Sequence, residues 1–226
     1  MKKKLRGQIS ESKRLALILA VSGGLMDAYT YIFRGGVFAN AQTGNILLLG
    51  VNLYERNFAK ALHYLFPVLA FALGIILSEL IHHLCTKDGI LHWRQHTVLL
   101  ECILLFIVGF IPVTYNLLAN ALVSLACGIQ VESFRKVRGN ASATTMCIGN
   151  LRSGTQALCD FFFTKETHCL LKCFTYYGII LTFTFGAILG NYLITPFGQR
   201  AIWCSCFLLA VGFVLMFLQE EEAANN

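Results

Sequence analysis

The sequence predicts an all-α integral membrane protein of about six transmembrane helices, arranged as two inverted three-helix repeats, each with a Gly-Asn segment that is re-entrant or forms a short helix. Three observations predict it. The chain has 226 residues, 56% hydrophobic and 13% charged, with a mean hydropathy of +0.63, whereas soluble domains carry about a quarter charged residues. Several stretches reach the roughly 18 to 20 apolar residues that cross about 30 Å of hydrocarbon at about 1.5 Å per residue. Residues 39–50, ANAQTGNILLLG, are answered by residues 142–151, SATTMCIGNL, each phrase following an Arg-Gly step, Arg34-Gly35 and Arg138-Gly139. Spanning segments must be helical, because lipid offers no partner to an unpaired backbone group.

The first span, 15–33, follows a basic start that runs into polar residues, so it is expected to stay as an uncleaved anchor. Asp27 lies well inside it, where a charge costs about 2.5 to 3.5 kcal/mol on insertion scales. It must face protein or water. Gly23, Gly24 and Tyr31 share its face, and its two readings are a proton or cation relay or a structural carboxylate bonded to a neighbouring helix. The first phrase follows, with Thr43, Gly44 and Asn45 as candidate solute ligands if a helix starts there and presents its free amides.

The second span, 61–84, carries Ala70, Gly74 and Ser78 at every fourth position, and ends near Glu79, His82 and His83, with His92 and His96 beyond. Glu79 and His82 have the Glu-x-x-His spacing of helical metal ligands, but no second such pair completes a site. The third span, 96–113, contains Glu101, a buried acid with no evident partner. The fourth, 116–134, has a polar stripe of Asn120, Ser124, Cys127 or Gly128, and Glu132, the last placed roughly as Asp27 is in the first half. In the second phrase Gly149 and Asn150 repeat the earlier pair, Thr144 and Thr145 add hydroxyls, and Arg152 points to an anion or carboxylate contact, or else to a charged anchor. The fifth span, 174–194, has the small-residue stripe Gly178, Thr182, Gly186 and Gly190, which marks helix packing and predicts that the second and fifth spans cross one another. The sixth is 201–218.

Residues 1–226 form one membrane domain, with repeats over 15–113 and 116–218. AFALGIIL at 70–77 matches TFTFGAIL at 182–189, and Trp93 and Trp203 precede the last span of each half. Three crossings per repeat force the second copy to enter from the opposite face. Lys and Arg before the first span, between the second and third, and between the fourth and fifth all fall on one side, which predicts cytoplasmic N- and C-termini. The net charge of +6 is scattered at segment ends, so nucleic acid is excluded as a partner. The nine cysteines lie mostly in apolar segments as small hydrophobes rather than as disulfides or metal ligands.

The two long stretches LMDAYTYIFRGGVFANAQTGNILLLG (25–50) and QVESFRKVRGNASATTMCIGNLRSG (130–154) resemble the signatures of the YoaK family of bacterial multi-pass membrane proteins. The resemblance implies an inner-membrane protein of about six helices, with no activity, substrate or site residues to carry over.

Function is therefore expected from the membrane core. The first expectation is a small-solute or ion transporter or channel, with its site at the interface of the repeats. Thr43, Gly44, Asn45, Gly149, Asn150 and Arg152 would contact a small polar solute or ion, with Asp27, Glu132 and Glu101 coupling protons or ions. No cofactor is implied, and the partners are that solute, the lipid bilayer and a second copy in a homo-oligomer. The alternatives are an intramembrane metal-dependent enzyme built on Glu79 and the histidines, and a non-catalytic scaffold or assembly protein.

Overall fold

The computed structural model describes residues 13–85, 92–137, 140–141 and 143–224. The basic residues Lys2 to Arg6, Lys87 and the Arg138-Gly139 step lie outside the described residues. Helix α1 (Lys13–Ala28) buries Leu15, Leu19, Ser22 and Met26 at helical spacing and continues into a wider, π-helical turn over Tyr29–Phe33. It stops at Gly35 and Gly36, whose φ angles of 92° and 81° favour glycine. The chain then doubles back into α2 (Gln42–Tyr54) and α3 (Phe58–Leu84), the latter capped by Asn57, whose side chain accepts the Lys60 amide at 3.2 Å.

After α3 come α4 (Trp93–Val108), α5 (Asn116–Ser133), a two-residue antiparallel ladder of Lys136–Val137 with Asn140–Ala141, and α6 (Cys147–Thr164). The chain closes with α7 (Thr167–Phe197) and α8 (Trp203–Ala224), joined by a short 3-10 turn. Four helical stretches among the described residues are long and apolar enough to cross a membrane: Lys13–Phe33, Phe58–Leu84, Val113–Ser133 and Thr167–Phe217. The fourth, of 51 residues, would extend about 77 Å if straight. It folds back at Gly198, where φ is 52°. Helix α4 has 16 residues, starting three residues before the predicted 96–113 and ending with Gly109 as its C-cap, three residues ahead of Pro112.

Close packing organises the helices in pairs. A Cβ on Gly24 would strike the backbone of Phe183, and one on Gly186 would strike that of Val21. A Cβ on Gly74 would strike the backbone of Leu125, and one on Gly128 that of Phe71. Each glycine thus admits the neighbouring helix at backbone contact. The small-residue stripes of α3 and α7 were expected to meet each other. They pack instead against α5 and α1 respectively.

The direction of each helix follows from its contacts. Gly186 meets Val21 and Gly190 meets Leu25 and Ala28, so α7 runs parallel to α1. Gly74 meets Leu125 and Ser78 bonds Ser133 at 2.9 Å, so α3 runs parallel to α5. In contrast α8 is antiparallel to α1, with Leu15 at Gly212, Ser205 bonded to the Ser22 carbonyl at 3.4 Å, and Tyr29 bonded to the Gln199 carbonyl at 2.9 Å. Gln130 reaches the Leu19 carbonyl and Asn120 the Arg34 carbonyl, making α5 antiparallel to α1 as well. Arg34, the end of α4 and Gly198 gather at one end of the molecule. Lys13, Ser78, Arg94, Ser133 and the start of α7 gather at the other.

The main apolar core lies among α1, α4, α5 and α8, through Leu19, Met26, Val98, Leu105, Val123 and Leu209. Large apolar side chains cover the outer faces, Leu47, Phe66, Ile103, Phe163, Leu181 and Phe207 among them. That inside-out distribution suits a lipid surround.

Candidate functional site: two loops on one helix

The first loop, between α1 and α2, is tied to the middle of α1. Asp27 Oδ1 accepts the Asn40 amide at 2.7 Å, and the carboxylate also faces the backbone amides of Ala39 and Ala41. The Asn40 side-chain amide donates to the Gly23 carbonyl at 3.1 Å. Within the loop, Asn45 Oδ1 accepts from the Phe38 amide at 3.0 Å, while its Nδ2 donates to the Phe38 carbonyl at 2.7 Å and to Gln42 Oε1 at 2.8 Å. The Phe38 ring folds onto Gly44, occupying the place a Cβ would take. Asn45 therefore clasps its own loop.

The second loop, between the ladder and α6, reaches the same stretch of α1 from the other side. Thr144 and Thr145 are buried, and the Thr145 methyl rests on Gly23 where any Cβ would displace it. Gln130 Nε2 donates to the Leu19 carbonyl at 3.2 Å and lies 3.5 Å from Thr144 Oγ1. Asn150 Nδ2 donates to the Ala143 carbonyl at 2.8 Å, reaching back as far along its chain as Asn45 does. The two Gly-Asn phrases thus meet at Gly23, beside Asp27.

Around this meeting point several buried polar atoms have no hydrogen-bond partner: Asn40 Oδ1, Gln130 Oε1 and Thr145 Oγ1, with Ser22 Oγ and Ser124 Oγ deeper in the bundle. Both Glu101 carboxyl oxygens are also without a partner, and the residue is wholly buried. Arg94 Nε donates to the Ser133 carbonyl at 2.9 Å and Arg34 bonds the end of α4, so α4 and α5 are antiparallel and Glu101 stands level with the middle of α5. Met26 touches Cys127 at 3.8 Å, which puts Asp27 at the same depth.

The remaining expected site residues lie elsewhere. Thr43, Gly149 and Arg152 are exposed on the outer faces of α2 and α6. Glu132 is not brought to Asp27; it stands at the far end of α5, where Arg135 bonds it at 3.0 Å and Glu79 at 3.1 Å. Glu79 also faces His82 at 3.6 Å and His83 at 3.7 Å, and the His82 ring stacks near Trp93. These contacts are largely exposed and contribute little to stability. No group of three or more His, Cys, Asp or Glu side chains among the described residues is arranged to hold a metal ion.

Sequence reading missed the role of Arg34, which it named only as part of the Arg-Gly step before the first phrase. It is wholly buried, and its five donors meet Tyr29 Oη, Asn116 Oδ1 and the carbonyls of Pro112, Val108 and Ile111 at 2.8 to 3.3 Å. The free carbonyls at the end of α4 carry partial negative charge, so a cation without a carboxylate is balanced there. Asn40 and Gln130 were also missed. Gln130, an amide amid apolar helix residues, is the kind of signal that marks a buried polar site.

The family model described as "Protein of unknown function (DUF1275)" matches residues 15–215. The chain belongs to that family. It is also similar to the "UPF0700 transmembrane protein YoaK" of Bacillus subtilis (strain 168), 25% identical over 207 residues that cover 86% of this chain and 89% of the relative. The protein is a multi-pass membrane protein. No solved structure matches the chain.

Proposed function

We propose that this protein moves a small polar solute or ion across the cell membrane through two inverted three-helix repeats. The observation that carries the reading is the convergence of both loops on the middle of α1, at Gly23 and Asp27, with buried polar atoms unpartnered around them. Polar groups at membrane depth are costly unless they serve one another, water or a ligand. Irregular backbone at that depth is tolerated where protein or a polar cavity surrounds it.

The helix pairs support the inverted arrangement. Gly24 and Gly186 on α1 and α7 make the same reciprocal contact as Gly128 and Gly74 on α5 and α3. The first half contributes α1, α3 and α4, the second α5, α7 and α8. In this reading Asn45 and Asn150 hold the loops, which themselves line the path with Gly44 at the turn, and Asp27 and Glu101 carry the coupling charge. The basic end, with Lys13, Arg94 and Arg135, is cytoplasmic and holds both termini.

Charge-movement recordings on proteoliposomes test this. Rapid exchange of NaCl, KCl or a panel of amino acids against choline chloride should evoke a transient in the wild type that Asp27→Asn reduces at least about tenfold. Absence of any transient, together with absence of uptake of every solute in the panel, would contradict it.

A further inference from the structure

Two acids stand at mid-depth in the bundle, in opposite surroundings. Asp27 is met by donors, the Asn40 amide at 2.7 Å and the amides of Ala39 and Ala41 that face the same carboxylate. Its charge is served where it stands. Glu101 is wholly buried, and neither of its carboxyl oxygens has a hydrogen-bond partner among the described residues. It lies on the buried face of α4 with Val98, Leu105 and Val108, which belong to the apolar core together with Met26, Val123 and Leu209. The ionisable groups near its level are Cys102 beside it, Cys127 on α5, Cys206 on α8, whose sulfur is 3.7 Å from the Cys102 carbonyl, and Asp27 on α1. None of these is a cation. Arg94 is bonded to the Ser133 carbonyl two turns before Glu101, and Arg34 to the Val108 carbonyl two turns after it, each about 10 Å away along the helix. Arg200 stacks on Trp203 where α8 begins, and on α3 Glu79, His82 and His83 stand at the far end with Arg135 and Glu132.

We infer that Glu101 is a proton-binding site: it holds a proton in the conformation described here and exchanges it when the helices around it part. A carboxylate sealed in an apolar core with no partner is far costlier than the neutral acid. A proton needs only the carboxyl oxygen that carries it, whereas a metal cation needs a shell of several ligands. No group of three or more His, Cys, Asp or Glu side chains among the described residues supplies such a shell. Release leaves a carboxylate and a free proton, and the carboxylate must then meet water or a cation. In the translocation reading the helices that seal Glu101 come from both halves, α1 and α4 from the first and α5 and α8 from the second, so a relative movement of the halves uncovers it. The inference rests on that reading for what the proton drives. There the proton is the coupling ion, exchanged at Glu101, while Asp27 keeps a fixed charge at the loops. As a proton-binding site Glu101 stands without it.

The test is infrared spectroscopy of the purified full-length protein in proteoliposomes, which separates the carbonyl stretch of a protonated carboxyl from the bands of ionised carboxylates. At about pH 7, where an exposed Glu is ionised, the wild type should show such a band. Asp27→Asn should keep it and Glu101→Gln should lose it. Glu101→Asp should keep it at a shifted frequency, which decides the matter even if Glu101→Gln fails to fold. No band in the wild type, or a band left unchanged by substitution of Glu101, would overturn the site. A pH-sensitive dye inside the same vesicles reads the coupling. NaCl, KCl or an amino acid that is taken up should change the internal pH, and Glu101→Gln should abolish the change. Uptake that is equal in wild type and Glu101→Gln, with no change of internal pH, would overturn the coupling role. The band without uptake of any solute would sink the translocation reading and leave the proton site.

Discussion

The two loops perform the same task with different chemistry. The first is fastened to α1 by an ion: Asp27 receives the Asn40 amide, and Asn45 closes the loop behind it with three hydrogen bonds. The second is fastened by fit, with the Thr145 methyl against the bare Cα of Gly23. Hydrogen bonds to a charge are roughly twice as strong as neutral ones. The comparison teaches that two loops can settle on one stretch of helix by different means, one around a carboxylate and the other through a methyl group on a bare glycine.

The largest expected effect lies where the first loop begins, at Arg34. Arg34→Ala leaves the carbonyls of Val108, Ile111 and Pro112 without their donor and should lower stability by at least about 3 kcal/mol, read as the unfolding midpoint in detergent. Arg34→Lys should recover only part of it, since an ammonium cannot reproduce the planar fork.

Next in size are the backbone contacts. Gly24→Leu and Gly128→Leu each drive a side chain into a neighbouring helix and should cost about 1 to 3 kcal/mol or more. Similar losses from the two would strengthen the pairing of α1 with α7 and of α5 with α3 as equivalents. A loss from only one would break it.

Asn45→Ala removes three bonds from the first loop and should cost about 1 to 3 kcal/mol, with protease cleavage near residue 40 as a second readout. The smallest effects belong to the exposed members of the same phrases. Thr43→Ala and Arg152→Ala should stay within about 0.5 kcal/mol of the wild type and leave charge movement unchanged. A large loss of transport in either would return the site to the outer faces of α2 and α6.

Much of the fold was legible because hydrophobic length and period are local properties. Each expected span has a helix within it, and the two phrases read as irregular do begin short helices after inserted loops. Helix partners were less legible. The stripe through Gly74 and Gly186 tells which face packs closely, but periodicity carries no information about which helix receives it, so α3 and α7 were wrongly paired.

The site was legible in part for the same reason. Asp27 and Glu101 stand out because an acid in an apolar helix is costly wherever it sits. Asn45 and Asn150 stood out as repeats, yet repetition marks a shared structural task as readily as a ligand, and Asn45 proves to spend its amide on its own loop. Arg34 could not be read because its partners are carbonyls from a helix end far along the chain. Glu132 matched Asp27 by position in its span, but antiparallel α1 and α5 carry the two acids to different depths.

The most direct test of the inverted arrangement is the sidedness of the two turns that follow the Gly-Asn helices. Single accessible tags near Asn57 and near Lys165, probed in intact cells and in inverted vesicles, report it. The account predicts Asn57 outside and Lys165 inside. Both tags on the same face of the membrane would contradict it.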